Sequence, residues 1–270
     1  MPDDTNSPVR LRIPRLGEPL RLIVHGERDR FVSRQIREEG IWEPYETSLL
    51  LDLLAPGGVF VDVGANLGYF SMVAARAVGG DGRVFAFEPE PENFRLLQAN
   101  AELNGLQPRI HSLQAGLAAG DGQGRLYLSA TNLGDHRIRA PGAVGESLPI
   151  ALINGGQYLE GRLSRIDVLK VDTQGSEYEV MLGLMPLLRR LPRPLRILIE
   201  LTPLSLRQSG ACGRALVELL ATLEMPMWIV DHIGHRLSRH SAEALARWCD
   251  NVDAAEGDEG FMNILVGPAP

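Results

Sequence analysis

From residue 59 to residue 201, short apolar runs rich in β-branched residues alternate with amphipathic stretches. That alternation is the signature of strands and helices taking turns. The first run, VFVDV at 59–63, is continuous enough to be a strand buried on both faces. Residues 69–78 place apolar side chains and alanines at helical spacing, and Gly79–Gly80–Asp81–Gly82 stops them. A second buried strand at 84–87 delivers Glu88 at its carboxyl end. An amphipathic helix at 90–104 and a third strand at 109–113, ending at Gln114, follow. Residues 165–172 resume the core as a fourth strand ending in Asp172. A helix at 176–190 leads to a fifth strand at 195–201, with Glu200 near its end. A helix at 211–223, a sixth strand at 227–230, a hairpin or short-helix excursion at 234–248 and a closing strand at 260–266 complete the chain. The predicted fold class is α/β: a doubly wound, mostly parallel sheet with an antiparallel closing strand.

Two stretches depart from the alternation. Residues 1–10 are polar and proline-punctuated, as expected of a frayed tail, and 11–13 can pair with 20–25 as a small hairpin. A helical pattern begins at Phe31, and 49–54 ends at Ala55–Pro56–Gly57–Gly58. The segment 1–56 is therefore expected to lay a hairpin and helix over the edge of the first strand. The second stretch, 118–164, alternates like antiparallel strands around the polar run Thr131–Ile138 and a glycine- and proline-rich loop at 140–146. It reads as a β-rich insertion over the functional side of the sheet, where an acceptor would be recognised. No repeat or linker divides the chain, so residues 1–270 are expected to form a single domain.

Hydrophobic residues make up 44% of the 270, which supports one substantial core. The net charge of −7 disfavours a surface that tracks phosphates, so no nucleic-acid partner is expected. Arg189, Arg190, Arg193 and Arg196 read as a solvated helix end and loop. Cys212 and Cys249 are too few for a disulfide framework or a cysteine-built zinc site, and His232, His235 and His240 are expected on a solvated edge. No apolar run reaches the length of a transmembrane span, and MPDDTNSPVR lacks a basic-then-apolar export signal. The expectation is a soluble cytoplasmic enzyme, with homo-oligomerisation left open.

The candidate chemistry lies between Gly58 and Glu88. The loop after the first strand reads D-V-G-A-N-L-G, with Asp62 two residues before Gly64, and Glu88 stands twenty residues beyond Gly68. That spacing brings Glu88 beside the glycine turn, where it can accept hydrogen bonds from both hydroxyls of a ribose. An acid at Asp62 repels phosphate but can hold an ammonium. S-adenosylmethionine has a ribose and an ammonium and lacks phosphate. Two alternatives stay open here: a packing turn with a solvated glutamate, and a nucleotide-linked oxidoreductase, which would want a third glycine. Glu46 or Tyr45 can reach the amino-acid end of such a cofactor, and Gln114 stands where the nucleobase would lie. At the other end of the site, Asp172 and Glu200 converge from neighbouring strands. They can orient an acceptor hydroxyl, share a proton, or hold a divalent cation. A third firm ligand is not evident, so a metal is not favoured. His136 is the alternative base, and Asn132 and Arg137 are candidates to bind sugar hydroxyls or an acidic group.

Taken together these residues resemble the FkbM family of methyltransferases. The resemblance is carried by Tyr45–Glu46, the run from Val61 to Gly68, Phe87–Glu88–Pro89, the run from Asn132 to Arg137, the run from Leu169 to Glu177, and Ile199–Glu200. It implies a class I, Rossmann-like fold and transfer of a methyl group from S-adenosylmethionine. The acceptor it implies is most often a hydroxyl on a sugar, glycolipid or natural product; N-methylation stays open. The cofactor set expected is Glu46, Asp62, Gly64, Asn66, Gly68, Glu88, Pro89, Gln114 and Asp172, and the catalytic set is Asp172, His136 and Glu200. Gln174 and Ser176 stand where the family pattern often has Glu and Ala.

Overall fold

A central strand flanked on both faces by helices must be apolar on both sides, and VFVDV supplies that at β3 (Val59–Val63), which is buried almost throughout. The structure is a computed structural model that describes residues 7–138, 145–192, 194–255 and 257–270. Residues 1–6, most of the 140–146 loop and Arg193 lie outside the described residues. β3 pairs in parallel with β4 (Arg83–Phe87) on one side, and β4 with β5 (Ile110–Leu113). On its other side β3 pairs in parallel with β10 (Val168–Val171), and β10 with β11 (Arg196–Leu201). Strand order thus reverses between β3 and β10. At such a switch point the loops leave in opposite directions and a crevice opens beyond the carboxyl ends.

Beyond β11 the sheet turns antiparallel. β14 (Met262–Val266) lies beside β11, and β12 (Met227–Asp231) and β13 (Arg236–His240) complete an eight-stranded sheet of order β13-β12-β14-β11-β10-β3-β4-β5. The closing strand is antiparallel, as its position predicts. The 234–248 excursion resolves into both alternatives at once, β13 followed by α9 (Ala242–Ala254), whose first turn Ser241 caps.

Helices cover the sheet on two faces. One face carries α2 (Pro44–Leu53), α3 (Tyr69–Val78) and α4 (Pro91–Leu103). The other carries α6 (Glu177–Leu188), α8 (Gly213–Ala221) and α9. α2 starts earlier than its apolar run suggests, because Pro44 occupies the first turn, where its missing N–H costs nothing. Near the N-terminus, β1 (Val9–Arg10) and β2 (Arg21–Leu22) pair over only two residues, so 11–13 is not the strand that its pattern predicts. α4 holds this segment with side-chain amides instead. Asn100 accepts from the Ile23 N–H and donates to the Ile23 carbonyl, and Asn104 does the same at Arg21.

The insertion forms its own four-stranded sheet, β6 (Gly116–Ala118), β9 (Ser147–Asn154), β7 (Gly122–Tyr127) and β8 (Arg137–Ile138), in that order. Its 131–136 loop packs back on the β3 turn, where a Cβ on Gly134 would sit 2.9 Å from the Asn66 amide nitrogen. Among the described residues no helix is long and apolar enough to cross a membrane.

The closest approach of all is at Gly64. Its φ is +82°, and a Cβ there would lie 1.9 Å from the Asp172 carbonyl oxygen. Gly64→Ala is expected to destabilise the fold by about 2–4 kcal/mol, measured by urea denaturation, since backbone faces backbone and neither can yield. An unchanged midpoint would show that β3 and β10 can separate here at little cost.

Candidate active site

The turn after β3 is built by the end of β4. Gly64 N–H and Ala65 N–H both donate to the Phe87 carbonyl at 3.0 Å. Asn66 then takes a left-handed backbone, φ +51°, and its N–H donates to Glu88 Oε2 at 2.8 Å. The other Glu88 oxygen accepts from Glu90 N–H at 2.8 Å. Two backbone amides therefore fix the carboxylate while each oxygen keeps a lone pair for a ligand. Gly64, Asn66, Glu88, Pro89 and Asp172 line one small cavity together with Ala115, Gly116 and Leu117. Asp62 lines a second, wider cleft of about 600 Å³, where Ser71 Oγ donates to its Oδ2 at 2.6 Å. The two share Gly64, Asn66, Gly134, Asp172 and Gln174, so they meet at the sheet's switch point.

Three residues of the expected cofactor set lie elsewhere. Gly68 starts α3 at φ +90° and packs on α4, where a Cβ would meet Leu97 Cδ1 at 2.5 Å; it lines neither space. Gln114 is exposed, because the chain turns after β5 and presents Ala115–Leu117 to the cavity instead. Glu46 is buried behind the cleft, accepting from Asn263 Nδ2 at 2.6 Å with His232 Nε2 3.7 Å away. His232 is thus half-buried, whereas His235 and His240 are exposed as expected. Tyr45 stacks on His235 at 5.4 Å and does not line the cleft.

At the centre stands Lys170, 4% exposed in the middle of β10. Its ammonium donates to Asp172 Oδ2 at 2.8 Å, lies 3.6 Å from Glu46 Oε1, and sits 4.6 Å above the Phe70 ring. Burial alone would lower the Lys170 pKa, but Asp172, Glu46 and Glu43 together hold it above its ordinary value. Burial alone would raise Asp172, and Lys170 holds it below the usual carboxylate range. Gln174 Nε2 donates to Asp172 Oδ1 at 2.8 Å. The amide at 174 thus satisfies Asp172 where a second acid would repel it. Glu177 shapes the same loop by accepting from Thr173 N–H, Thr173 Oγ1 and Gly175 N–H.

Glu200 and Glu43 also line the wide cleft. In each, Oε2 is buried without a hydrogen-bond partner. Burial, then the neighbouring acids (Asp172 for Glu200, Glu46 for Glu43), push both well above the ordinary carboxyl pKa. Asp172 and Glu200 do converge, but as unlike partners: one held low and accepting a bond at each oxygen, the other raised and with a free oxygen. His136 is placed differently from expectation. It lines the small cavity, and its Nδ1 accepts from Ser129 N–H at 3.0 Å. The proton of the neutral ring is therefore on Nε2, which makes that nitrogen a donor and not a base. Lys170 and Glu43 are the site residues that sequence reasoning missed. A lysine inside V-L-K-V-D, an otherwise apolar central strand, was the available signal, because a buried ammonium demands acids around it. Among the described residues no three His, Cys, Asp or Glu side chains group to hold a metal ion.

A family model described as the methyltransferase FkbM domain matches residues 62–232, more than half of the chain, including Asp62, Glu88, Lys170, Asp172 and Glu200. The chain belongs to the FkbM methyltransferase family. It is an enzyme that uses S-adenosylmethionine as its methyl donor. Among curated relatives, hexuronic acid methyltransferase AglP of Haloferax volcanii is 29% identical over 186 residues, 65% of this chain and 72% of its own. Methyltransferase sdnD of Sordaria araneosa is 29% identical over 153 residues, 46% of this chain and 59% of its own. Among solved structures, a methyltransferase FkbM from Methylobacillus flagellatus KT aligns at a TM-score of 0.46 and 14% identity, over 79% of this chain and 44% of that one.

The residues of this FkbM methyltransferase fit S-adenosylmethionine. Glu88, lining the small cavity, has acceptor capacity that would suit ribose hydroxyls, Asp62, lining the wide cleft, has a carboxyl that would suit an ammonium, and Gly64 leaves the backbone bare between them. Burial pushes Glu88 up to about 7, against the pull of the Glu90 and Asn66 amides. Burial pushes Asp62 up to about 6, against Lys170 and the Ser71 hydroxyl. Both folded-state values lie above those of an unfolded chain. Their contribution to stability is therefore full below the unfolded pKa, and is lost as pH rises through about 6 to 7 in the empty protein. A ligand that binds the ionised acids reverses that trend. The rise in Tm produced by saturating S-adenosylmethionine is expected to widen between about pH 5.5 and pH 7.5, and Glu88→Gln should flatten the upper part. A rise independent of pH would show that these two acids do not face the ligand.

Proposed function

We propose that this enzyme methylates a hydroxyl of a sugar or glycan-like acceptor seated in the wide cleft, with Glu200 as the general base. The carrying observation is the unpartnered Glu200 oxygen, buried beside an Asp172 whose two oxygens each already accept one hydrogen bond. An alcohol does not ionise unaided near neutral pH, so transfer to it needs a proton acceptor of matched basicity. An amine that binds uncharged already has its lone pair and needs no such group. The free oxygen therefore favours O- over N-methylation. Asp172, held low by Lys170, is a poor base but a strong acceptor of hydrogen bonds. It orients the hydroxyl and keeps the proton on Glu200 once transferred.

S-adenosylmethionine, when bound, supplies an electrophilic methyl group on a sulfonium. Glu88 would take its ribose hydroxyls, Asp62 its ammonium, and Ala115–Leu117 its base. The rest is done by the chain. Asn66 and Gly134 stand where the two spaces meet and hold the cofactor and acceptor sides in register. Asn132, Arg137 and Gln208 offer polar groups along the cleft for further hydroxyls. Burial of the acids keeps water from competing for the acceptor proton. The relative that acts on hexuronic acid supports a sugar as the acceptor class.

Glu200→Gln is expected to lower kcat about 100-fold or more while leaving S-adenosylmethionine affinity unchanged, read as S-adenosylhomocysteine release across a panel of sugar acceptors. Asp172→Asn should lower kcat too, and should move the acidic limb of the pH profile, because the carboxylate that disfavours ionised Glu200 is gone. Full turnover by Glu200→Gln would remove the base assignment.

A further inference from the structure

Of the described residues, the large hydrophobic side chains that stand exposed are Phe31 at 53%, Phe261 at 62% and Ile233 at 97%. Ile233 belongs to the turn between β12 and β13. Phe31 and Phe261 both line the wide acceptor cleft, although 230 positions separate them in sequence. Neither is a loose end. Phe31 precedes α1 (Val32–Glu39), its N–H donates to Asp29 Oδ1 at 3.4 Å, and the neighbouring Arg30 N–H donates to the Thr131 carbonyl at 2.9 Å. That bond ties the Phe31 turn to the insertion one residue before Asn132. Phe261 immediately precedes β14, which is anchored against β11.

The floor of the cleft is polar and one-sided. Glu43, Asp62, Asp135, Asp172, Glu200 and Glu259 face two cations, Lys170 and Arg137. Each cation is already held by an acid. Lys170 lies on Asp172, and Arg137 Nε donates to Asp135 Oδ1 at 2.6 Å while its Nη1 reaches Gln208 at 3.4 Å. Meanwhile Glu43 and Glu200 each bury a carboxyl oxygen with no donor. Two of its carboxyl oxygens are left for an occupant's donors to meet, and with six acids against two engaged cations a further anion is what it repels.

An occupant that satisfies both halves has donors on one edge and a flat apolar face on the other. A pyranose ring has that shape: hydroxyls around the rim, C–H groups across the face. We propose that the acceptor is a carbohydrate without an acid group, its ring face resting on Phe31 and Phe261 and its hydroxyls directed to Glu43 and Glu200. This rests on the sugar-hydroxyl assignment above and narrows it away from the uronic acid of the relative from Haloferax volcanii. The two phenylalanines set which acceptor is held. Glu43 accepts a hydroxyl or amino group next to the one that Glu200 deprotonates.

The test measures binding and not turnover. Protein saturated with S-adenosylhomocysteine is titrated with a neutral methyl hexoside, the matching methyl aminohexoside and the matching methyl hexuronoside, followed by ligand-observed NMR at neutral pH. The neutral and amino sugars are expected to bind at least about tenfold more tightly than the uronoside, a gap set by charge alone. Phe31→Ala and Phe261→Ala should each weaken the neutral sugar about threefold or more, with Phe→Trp restoring it and S-adenosylhomocysteine affinity unchanged throughout. Equal or tighter binding of the uronoside, or alanine variants that bind the neutral sugar like the parent, would overturn the proposal while leaving a sugar as acceptor. No binding of any of the three sugars to the loaded protein would remove the sugar assignment itself, and this refinement with it.

Discussion

A single ammonium, that of Lys170, organises the carboxylates on which the rest of the site depends. It lies inside the sheet, in a strand whose other side chains are apolar, and reaches Asp172 directly and Glu46 at slightly longer range. Left alone, either charge would be stranded in a low-dielectric interior at a cost of about 3–5 kcal/mol. Together they are tolerated, and the consequence is functional. Lys170 determines that Asp172 carries the negative charge, which adds to burial in raising Glu200 above the ordinary carboxyl range, so that it is a stronger base. Two carboxyls on neighbouring strands are thereby driven to opposite protonation behaviour, which is how acid and base roles are separated within one crevice.

The geometry that makes this possible is set by close backbone packing between β3 and β10. Gly64 lets the carbonyl of Asp172 approach to where a Cβ would be, and the same bare turn leaves room for a ligand. Because strand order reverses at this pair, the loop carrying Asn66 and the loop carrying Gln174 diverge. One cavity opens toward Glu88 and the other toward Glu200. Lys170 does not act on Glu88 and only partly offsets burial at Asp62, so burial dominates both and keeps them near neutrality. Anchoring by backbone amides, and not by other side chains, leaves Glu88 rigid yet able to accept from a ligand.

The insertion and segments near the two chain ends complete the wide cleft. The loop at 131–136 reaches the β3 turn through Gly134, and the Phe31 turn is bonded to it through Arg30 and Thr131. Residues from near both termini and from the middle of the chain therefore meet at one mouth. This explains why the wide cleft is more polar than the small cavity: much of its lining comes from loops, whereas the small cavity is lined largely from strand ends.

Much of this was legible in the order of residues. Apolar runs of five bounded by glycine gave the parallel strands, since buried strands need no alternation, and the twenty-residue step from Gly68 to Glu88 placed the acid at the glycine turn. Asp62, Gly64, Asn66, Glu88, Pro89, Asp172 and Glu200 all line the two spaces as their positions at strand ends imply. Gly68, Gln114 and Glu46 do not, because sequence position shows which strand end a residue occupies but not which way its side chain leaves. Packing against α4, a turn after β5 and the pull of Lys170 and Asn263 decided those. His136 sits near the site, but a backbone N–H from Ser129 took its acceptor nitrogen, a contact between residues seven apart that no spacing rule marks. Local pattern thus determined the strands, the switch point and the placing of Glu88 at the glycine turn, because those follow from burial and backbone reach. Protonation, and the pairing of Lys170 with Glu46 of α2, were decided by tertiary structure alone, since charge in an interior depends on what the whole fold brings within a few ångströms.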